Sequence, residues 1–247
     1  MTTPATLDAA IRDAVAMPCL RPQFRGQRVV DRPGVYATPE HAGCCIVVEH
    51  NVLSLDELEA YRAAAERVER RSGPSAYGHA KPRREVCYHV AGDAPYAYSG
   101  QRHLAREYPA HVVALAERLR ALVDARLADA QIAPAQFARL SHGVDIVYTR
   151  EFERGGSIGA HSDDECADWG LVLIFSLGQT RWLRVRDRSG ARAWTNVELR
   201  HNSLVAMHGA DFQRAYTHQV DKLSAAEPVG TRHSLNVRYG PMLAPLE

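Results

Sequence analysis

Residues 155–165 read Gly-Gly-Ser-Ile-Gly-Ala-His-Ser-Asp-Asp-Glu. The glycine pair marks a turn, and residues 157–161 have the length and composition of a short strand. On extended backbone, residues two apart project to one face, so His161 and Asp163 can both reach a single metal ion. One imidazole and one carboxylate make two thirds of a facial triad. A distant second histidine would complete a set of the kind that holds Fe(II) on one side and leaves the opposite positions open. Ser162 and Asp164 alternate to the other face, so Asp164 and Glu165 are candidates for a place beside the metal or at the lip of a substrate site, or are solvated loop acids.

Ligands carried on a strand require a sheet, and the flanking sequence supplies one. Beyond Ala133, short β-type runs follow one another with turn residues between them, at 143–148, 157–161, 171–177, 181–186, 191–198, 203–208, 216–220 and 232–239. Strands at this spacing predict a double-sheet jelly roll, with the fold class α+β and mainly β. Upstream, 44–48 is a further short strand. Ser54-Leu55-Asp56-Glu57 is a capping-box pattern opening a helix to about Arg71. Val112, Leu115, Leu119, Leu122, Val123 and Leu127 recur at helical spacing and predict a helix over 109–130. Residues 7–15 also have helical spacing, whereas 18–42, rich in proline with scattered glycine and arginine, read as an irregular arm. The expected organisation is an N-terminal helix and arm over 1–42, then one domain over 43–242. In that domain 43–132 forms a lid with supporting helices and 133–242 the jelly roll.

Composition bounds the function. Formal net charge is +1, which does not call for DNA or a membrane as a partner, although a local basic groove could hide inside a neutral total. The five cysteines, Cys19, Cys44, Cys45, Cys87 and Cys166, are odd in number and unpatterned, which argues against a disulfide framework and a cysteine zinc site. No apolar run approaches the roughly 20 residues of a membrane-crossing helix, and residues 1–9 lack the charge and apolar core of a signal peptide. The expectation is a cytoplasmic monomer with no membrane association and no obligate protein partner.

The second histidine could be His201, His208, His218 or His233. Near the end, Arg232-His233-Ser234-Leu235-Asn236-Val237-Arg238 puts Arg232, Ser234 and Arg238 on one face of a strand. Two inward arginines on a buried strand require a compensating anion. An arginine fork suits a carboxylate, as gripping the distal carboxylate of 2-oxoglutarate would demand.

The order of His161-x-Asp163, a later histidine and Arg-x5-Arg, together with the run Ser176-Leu-Gly-Gln-Thr-Arg-Trp-Leu-Arg-Val-Arg186, resembles the AlkB-type family of Fe(II)- and 2-oxoglutarate-dependent dioxygenases over residues 42–239. The Pro82-Arg83 pair before Tyr88 and Tyr98-Ser99-Gly100 look like that family's substrate lid. The resemblance implies Fe(II) bound by His161, Asp163 and His218, with His208 the main rival for the last place. It implies 2-oxoglutarate and dioxygen as cosubstrates, Arg232 gripping the oxoglutarate side chain with Ser234 nearby, and Arg238 meeting the carboxylate at the metal or positioning Asp163. Arg83, Tyr88 and Tyr98 would face the substrate, with Asp164 and Glu165 at its lip. Where relatives carry an Asn-x-Tyr pair this chain has Arg150 and Phe152 in ungapped register, so either Tyr148 supplies the hydroxyl for the cosubstrate from a shifted register or the cosubstrate loses that hydrogen bond; His89 stands where a glycine is usual. The activity implied is oxidative demethylation of N-alkylated nucleobases in single-stranded DNA or RNA. The alternatives are hydroxylation or demethylation of a small metabolite or protein side chain, and a noncatalytic binding module.

Overall fold

The computed structural model describes residues 24, 26–38, 41, 43–66, 84–90, 97–98, 101–102, 105–134, 139–148, 157–163, 170–190, 194–223 and 230–240. Fifteen strands and three helices are found among them. The strands are β1 (Arg28–Val30), β2 (Gly34–Ala37), β3 (Cys45–His50), β4 (Arg84–His89), β5 (Ala97–Tyr98), β6 (Gln101–Arg102), β7 (Ala105–Glu107) and β8 (Leu140–Tyr148), then β9 (Ile158–His161), β10 (Leu171–Gly178), β11 (Arg181–Asp187), β12 (Thr195–Leu199), β13 (Ser203–His208), β14 (Tyr216–Val220) and β15 (Arg232–Tyr239). The helices are α1 (Leu55–Glu66), α2 (Ala110–Asp129) and α3 (Phe212–Ala215).

Eight strands form a major sheet in the order β2-β3-β13-β10-β15-β8-β4-β7, and five form a minor sheet in the order β1-β12-β11-β14-β9. Together they make the jelly roll expected from the strand spacing. Two apolar cores explain the layering. Val112, Leu115, Leu119, Val123 and Leu127 of α2, with Leu58 and Tyr61 of α1, pack on Leu171, Leu173, Phe175, Leu235 and Val237 of the major sheet. The alternate residues Val172 and Ile174 of β10, with Val144 and Ile146 of the neighbouring β8, point the other way and meet Leu183, Val185, Val197 and Val220 of the minor sheet. Strand β10 is therefore buried along its whole length, which is why it reads as an unbroken apolar run. Strand β14 alternates, because only one of its faces meets the core.

Local signals act where the sequence placed them. The Ser54 amide donates to Glu57 Oε2 at 2.8 Å while the Glu57 amide reaches Ser54 Oγ at 3.4 Å, closing the capping box that starts α1. The arm is not irregular throughout. Within it β1 pairs parallel with β12, and β2 pairs antiparallel with β3. Elements of three and four residues carry too little periodicity to be seen alone and take their strand geometry from the sheet edges they join. The stretch 7–15 lies outside the described residues. Among the described residues, no helix is long and apolar enough to cross a membrane.

Candidate metal centre

The site lies between the two sheets. His161 ends β9, His218 is the middle residue of β14, and the two are direct partners in the antiparallel ladder. That pairing brings their ring centroids to 4.3 Å with a 51° tilt. Asp163 follows two residues after His161 and is 3% exposed. Its Oδ1 lies 3.6 Å from His161 Nε2 and 4.0 Å from His218 Nε2. The three donor atoms all fall within 4.8 Å of one another, forming a group fit to hold a metal ion.

The surrounding bonds orient these donors. His161 Nδ1 lies 2.8 Å from the Gly159 carbonyl. A carbonyl can only accept, so Nδ1 carries the proton and Nε2 keeps its lone pair toward the other two donor groups. Arg238 Nε and Nη2 take Asp163 Oδ2 at 3.1 and 3.0 Å, so one carboxylate oxygen is held by the guanidinium while the other faces the histidines. Burial would raise the Asp163 pKa, but Arg238, then His218 and His161, outweigh it and hold the carboxyl well below its ordinary range. Burial, reinforced by His161, lowers His218 to about 3 against the opposing pull of Asp163. At neutral pH the site therefore offers a carboxylate and an unprotonated buried imidazole, the forms a divalent cation needs.

A polar row on β15 runs through the otherwise apolar space between the sheets. Arg232, Ser234, Asn236 and Arg238 occupy alternate positions, opposite Gly178, Ser176, Ile174 and Val172 of β10. Arg232 is 2% exposed, and its Nη2 donates to Ser176 Oγ at 3.1 Å and Ser234 Oγ at 3.2 Å. The strand rise of about 3.3 Å per residue separates the two arginine Cα atoms by roughly 20 Å, and both side chains enter the same interior. A guanidinium buried among hydroxyls at one end, and one holding the histidine-facing carboxylate at the other, fit an elongated anionic ligand. At the Arg232 end Gly178 has φ +83°, and a Cβ there would collide with the Thr231 carbonyl, so the turn admits only glycine comfortably.

The rival histidines are accounted for elsewhere. His208 lies on the helix side of β13, with Nδ1 3.7 Å from Cys45 Sγ, and burial lowers its pKa. His201 Nδ1 accepts from the Gly178 amide at 3.0 Å. His233 stacks on Tyr61 of α1 at 5.7 Å, on the face of β15 opposite Arg232. His208→Ala is accordingly expected to leave metal affinity within about twofold of the parent while lowering stability by ~1–3 kcal/mol. A metal titration and a thermal melt of the same preparation check both halves.

One substrate expectation is corrected. Tyr88 is fully buried on the helix side of β4, within the α2 core, and stacks on Tyr108 at 5.2 Å and 26°. It cannot offer its ring to a substrate between the sheets. The packing depends on Gly143 opposite it in β8, since a Cβ there would overlap the Tyr108 hydroxyl. His89, in the same strand, is half-buried with Nδ1 3.0 Å from the Val90 carbonyl. Tyr148 sits directly across from Arg232 in the ladder, and Tyr98 lies in the β5–β6 hairpin. Arg83, Arg150, Phe152, Asp164 and Glu165 fall outside the described residues.

Two contributors escaped the sequence reading. Ser176 had a visible signal, a hydroxyl inside an apolar strand, and it receives Arg232. Gln213 had none: its Oε1 accepts the Asp163 amide at 3.0 Å from a helix of four residues.

A family model described as the 2OG-Fe(II) oxygenase superfamily matches residues 47–238. Comparison with curated proteins gives no match. Among solved structures, the fold is similar to one described as "The structure of OsALKBH1", with a TM-score of 0.58 and 15% sequence identity over 84% of this chain and 97% of that one. At that identity the likeness is one of fold.

Proposed function

The chain belongs to the 2OG-Fe(II) oxygenase superfamily, and from that premise we propose that it removes N-alkyl groups from nucleobases in single-stranded DNA or RNA by oxidation. As a dioxygenase of this class it uses Fe(II), 2-oxoglutarate and dioxygen. Bound iron with its cosubstrate supplies the dioxygen activation that oxidises a C–H bond. The protein's own residues do the rest. In this reading His161, Asp163 and His218 bind the metal, Arg238 keeps the Asp163 carboxylate ionised and aimed, and Arg232 with Ser234 and Ser176 grips the distal carboxylate of 2-oxoglutarate. Tyr148, across the ladder from Arg232, is assigned to the same cosubstrate.

The observation that carries the reading is the donor group His161, Asp163 and His218 meeting the β15 polar row in one interior. The buried side chains of Asp163, His218 and Arg238 would shield a bound metal from water on their side, whereas the His161 side chain is 38% exposed. Substrate therefore approaches past His161. Hydroxylation of an N-methyl carbon gives a hemiaminal that breaks down to formaldehyde and the unmethylated base. A nucleobase as substrate is supported by the AlkB-type motif order and the similar fold. Tyr98, Arg83, Asp164 and Glu165 are the residues assigned to its binding.

A second reading, hydroxylation of a small metabolite or protein side chain, is favoured by the burial of Tyr88, which removes one stacking ring, and by the net charge of +1. Incubation of methylated single-stranded oligonucleotide with the protein, Fe(II), ascorbate and 2-oxoglutarate separates the two. The expected outcome is formaldehyde and succinate in equal amounts. Succinate formation that ignores the oligonucleotide but responds to another substrate would sink the first reading.

A further inference from the structure

The β9–β14 ladder has its last described pair at His161 and His218, so it stops two residues short of Asp163. The Asp163 amide is buried beyond the ladder and must find an acceptor elsewhere. It finds Gln213 Oε1 at 3.0 Å. Gln213 is 1% exposed and belongs to α3, whose Phe212 is anchored in the core between the sheets. The chain then runs from α3 directly into β14, which carries His218. One side chain thus ties the segment bearing the carboxylate to the segment bearing the second histidine.

The amide orientation is fixed by chemistry, since a backbone N–H can only donate and Oε1 must face it. Nε2 is then directed elsewhere, and it has no hydrogen-bond partner among the described residues. A buried donor without an acceptor is destabilising. A methionine of similar volume would fill the space without that cost, so packing alone does not account for glutamine here. From these observations we infer that Gln213 is a positioning residue for the metal centre, setting the main chain at Asp163 so that its Oδ1 faces His161 and His218. The inference rests on the reading of those three residues as the ligands.

Anaerobic Co(II) titration of the 247-residue chain, followed by the visible spectrum of the bound metal, tests it. Gln213→Met is expected to weaken Co(II) by roughly 10- to 100-fold, the range for loss of a partner that orients a ligand, and to alter the Co(II) bands. Gln213→Glu, which keeps an acceptor oxygen at the same reach, is expected to recover affinity to within about threefold of the parent. Should Gln213→Met fail to fold, Gln213→Asn, whose amide is one methylene too short, carries the same expectation. Parental affinity and spectrum in Gln213→Met overturn the inference. So does equal weakening in Gln213→Met and Gln213→Glu with matching losses of thermal stability, which is the mark of packing alone. His161→Ala is the control: if it binds Co(II) like the parent, the ligand assignment itself fails, whatever Gln213 does.

Discussion

Asp163→Ala is expected to abolish Fe(II) binding and to destabilise the metal-free protein by about 3–5 kcal/mol, two losses from one carboxylate. The first follows from removing one of three donors, so the affinity loss should far exceed the roughly 10- to 100-fold attached to orienting partners. The second follows from Arg238, 6% exposed, which has Nε and Nη2 on the same Asp163 oxygen. The sign of its pH dependence is fixed by the depressed Asp163 pKa. Its stabilising contribution is full well above the ordinary value of 3.8 and is lost as pH falls below it. The stability gap between parent and Asp163→Ala should therefore persist at neutral pH and close in strong acid. His161→Ala separates the two effects, because its side chain is 38% exposed and its loss removes a ligand without stripping a counter-ion from a buried guanidinium. Isothermal titration with Fe(II) under anaerobic conditions, with denaturant unfolding of the metal-free proteins, measures both quantities.

Arg232→Ala is expected to leave metal binding in place and to weaken 2-oxoglutarate by about 2–5 kcal/mol, the cost of cutting one member of a buried, hydrogen-bonded charge pair. That corresponds to roughly 30- to 4,000-fold in dissociation constant. Arg232→Lys should recover little of it, since an ammonium cannot present the parallel donors that fix a carboxylate. Ser176 and Ser234, each within 3.2 Å of the Arg232 guanidinium, hold its fork in place, and their alanine variants should show smaller losses in the same direction. Oxoglutarate affinity measured on the Co(II)-substituted protein tests this separately from turnover.

Much of this site could be read from the chain because it depends on a period of two. Arg232, Ser234 and Arg238 share a face for that reason, whereas Asp163 lies two residues beyond the end of β9 and still converges with His161 on one donor group. The same period could not say which face of a strand looks into the jelly roll. Strands β4 and β13 are buried on both sides, so Tyr88 and His208, equally eligible on paper, turned out to face the helices. In the sequence only the family resemblance favours His218 over His208, and the β14–β9 register supplies the physical reason, placing it directly beside His161. Gln213 was illegible because a helix of four residues has no periodicity, and because its partner is a backbone amide fifty residues earlier. The strands at 28–30 and 34–37 are illegible for a related reason: neither is long enough to declare itself without the sheet it joins.

The most direct measurement is an iron-edge anomalous map from anaerobic crystals grown with Fe(II) and 2-oxoglutarate. The expected result is one iron peak ligated by His161, Asp163 and His218, with the distal carboxylate of the cosubstrate on the Arg232 guanidinium. Iron at His208, or a cosubstrate lying away from Arg232, would contradict the account.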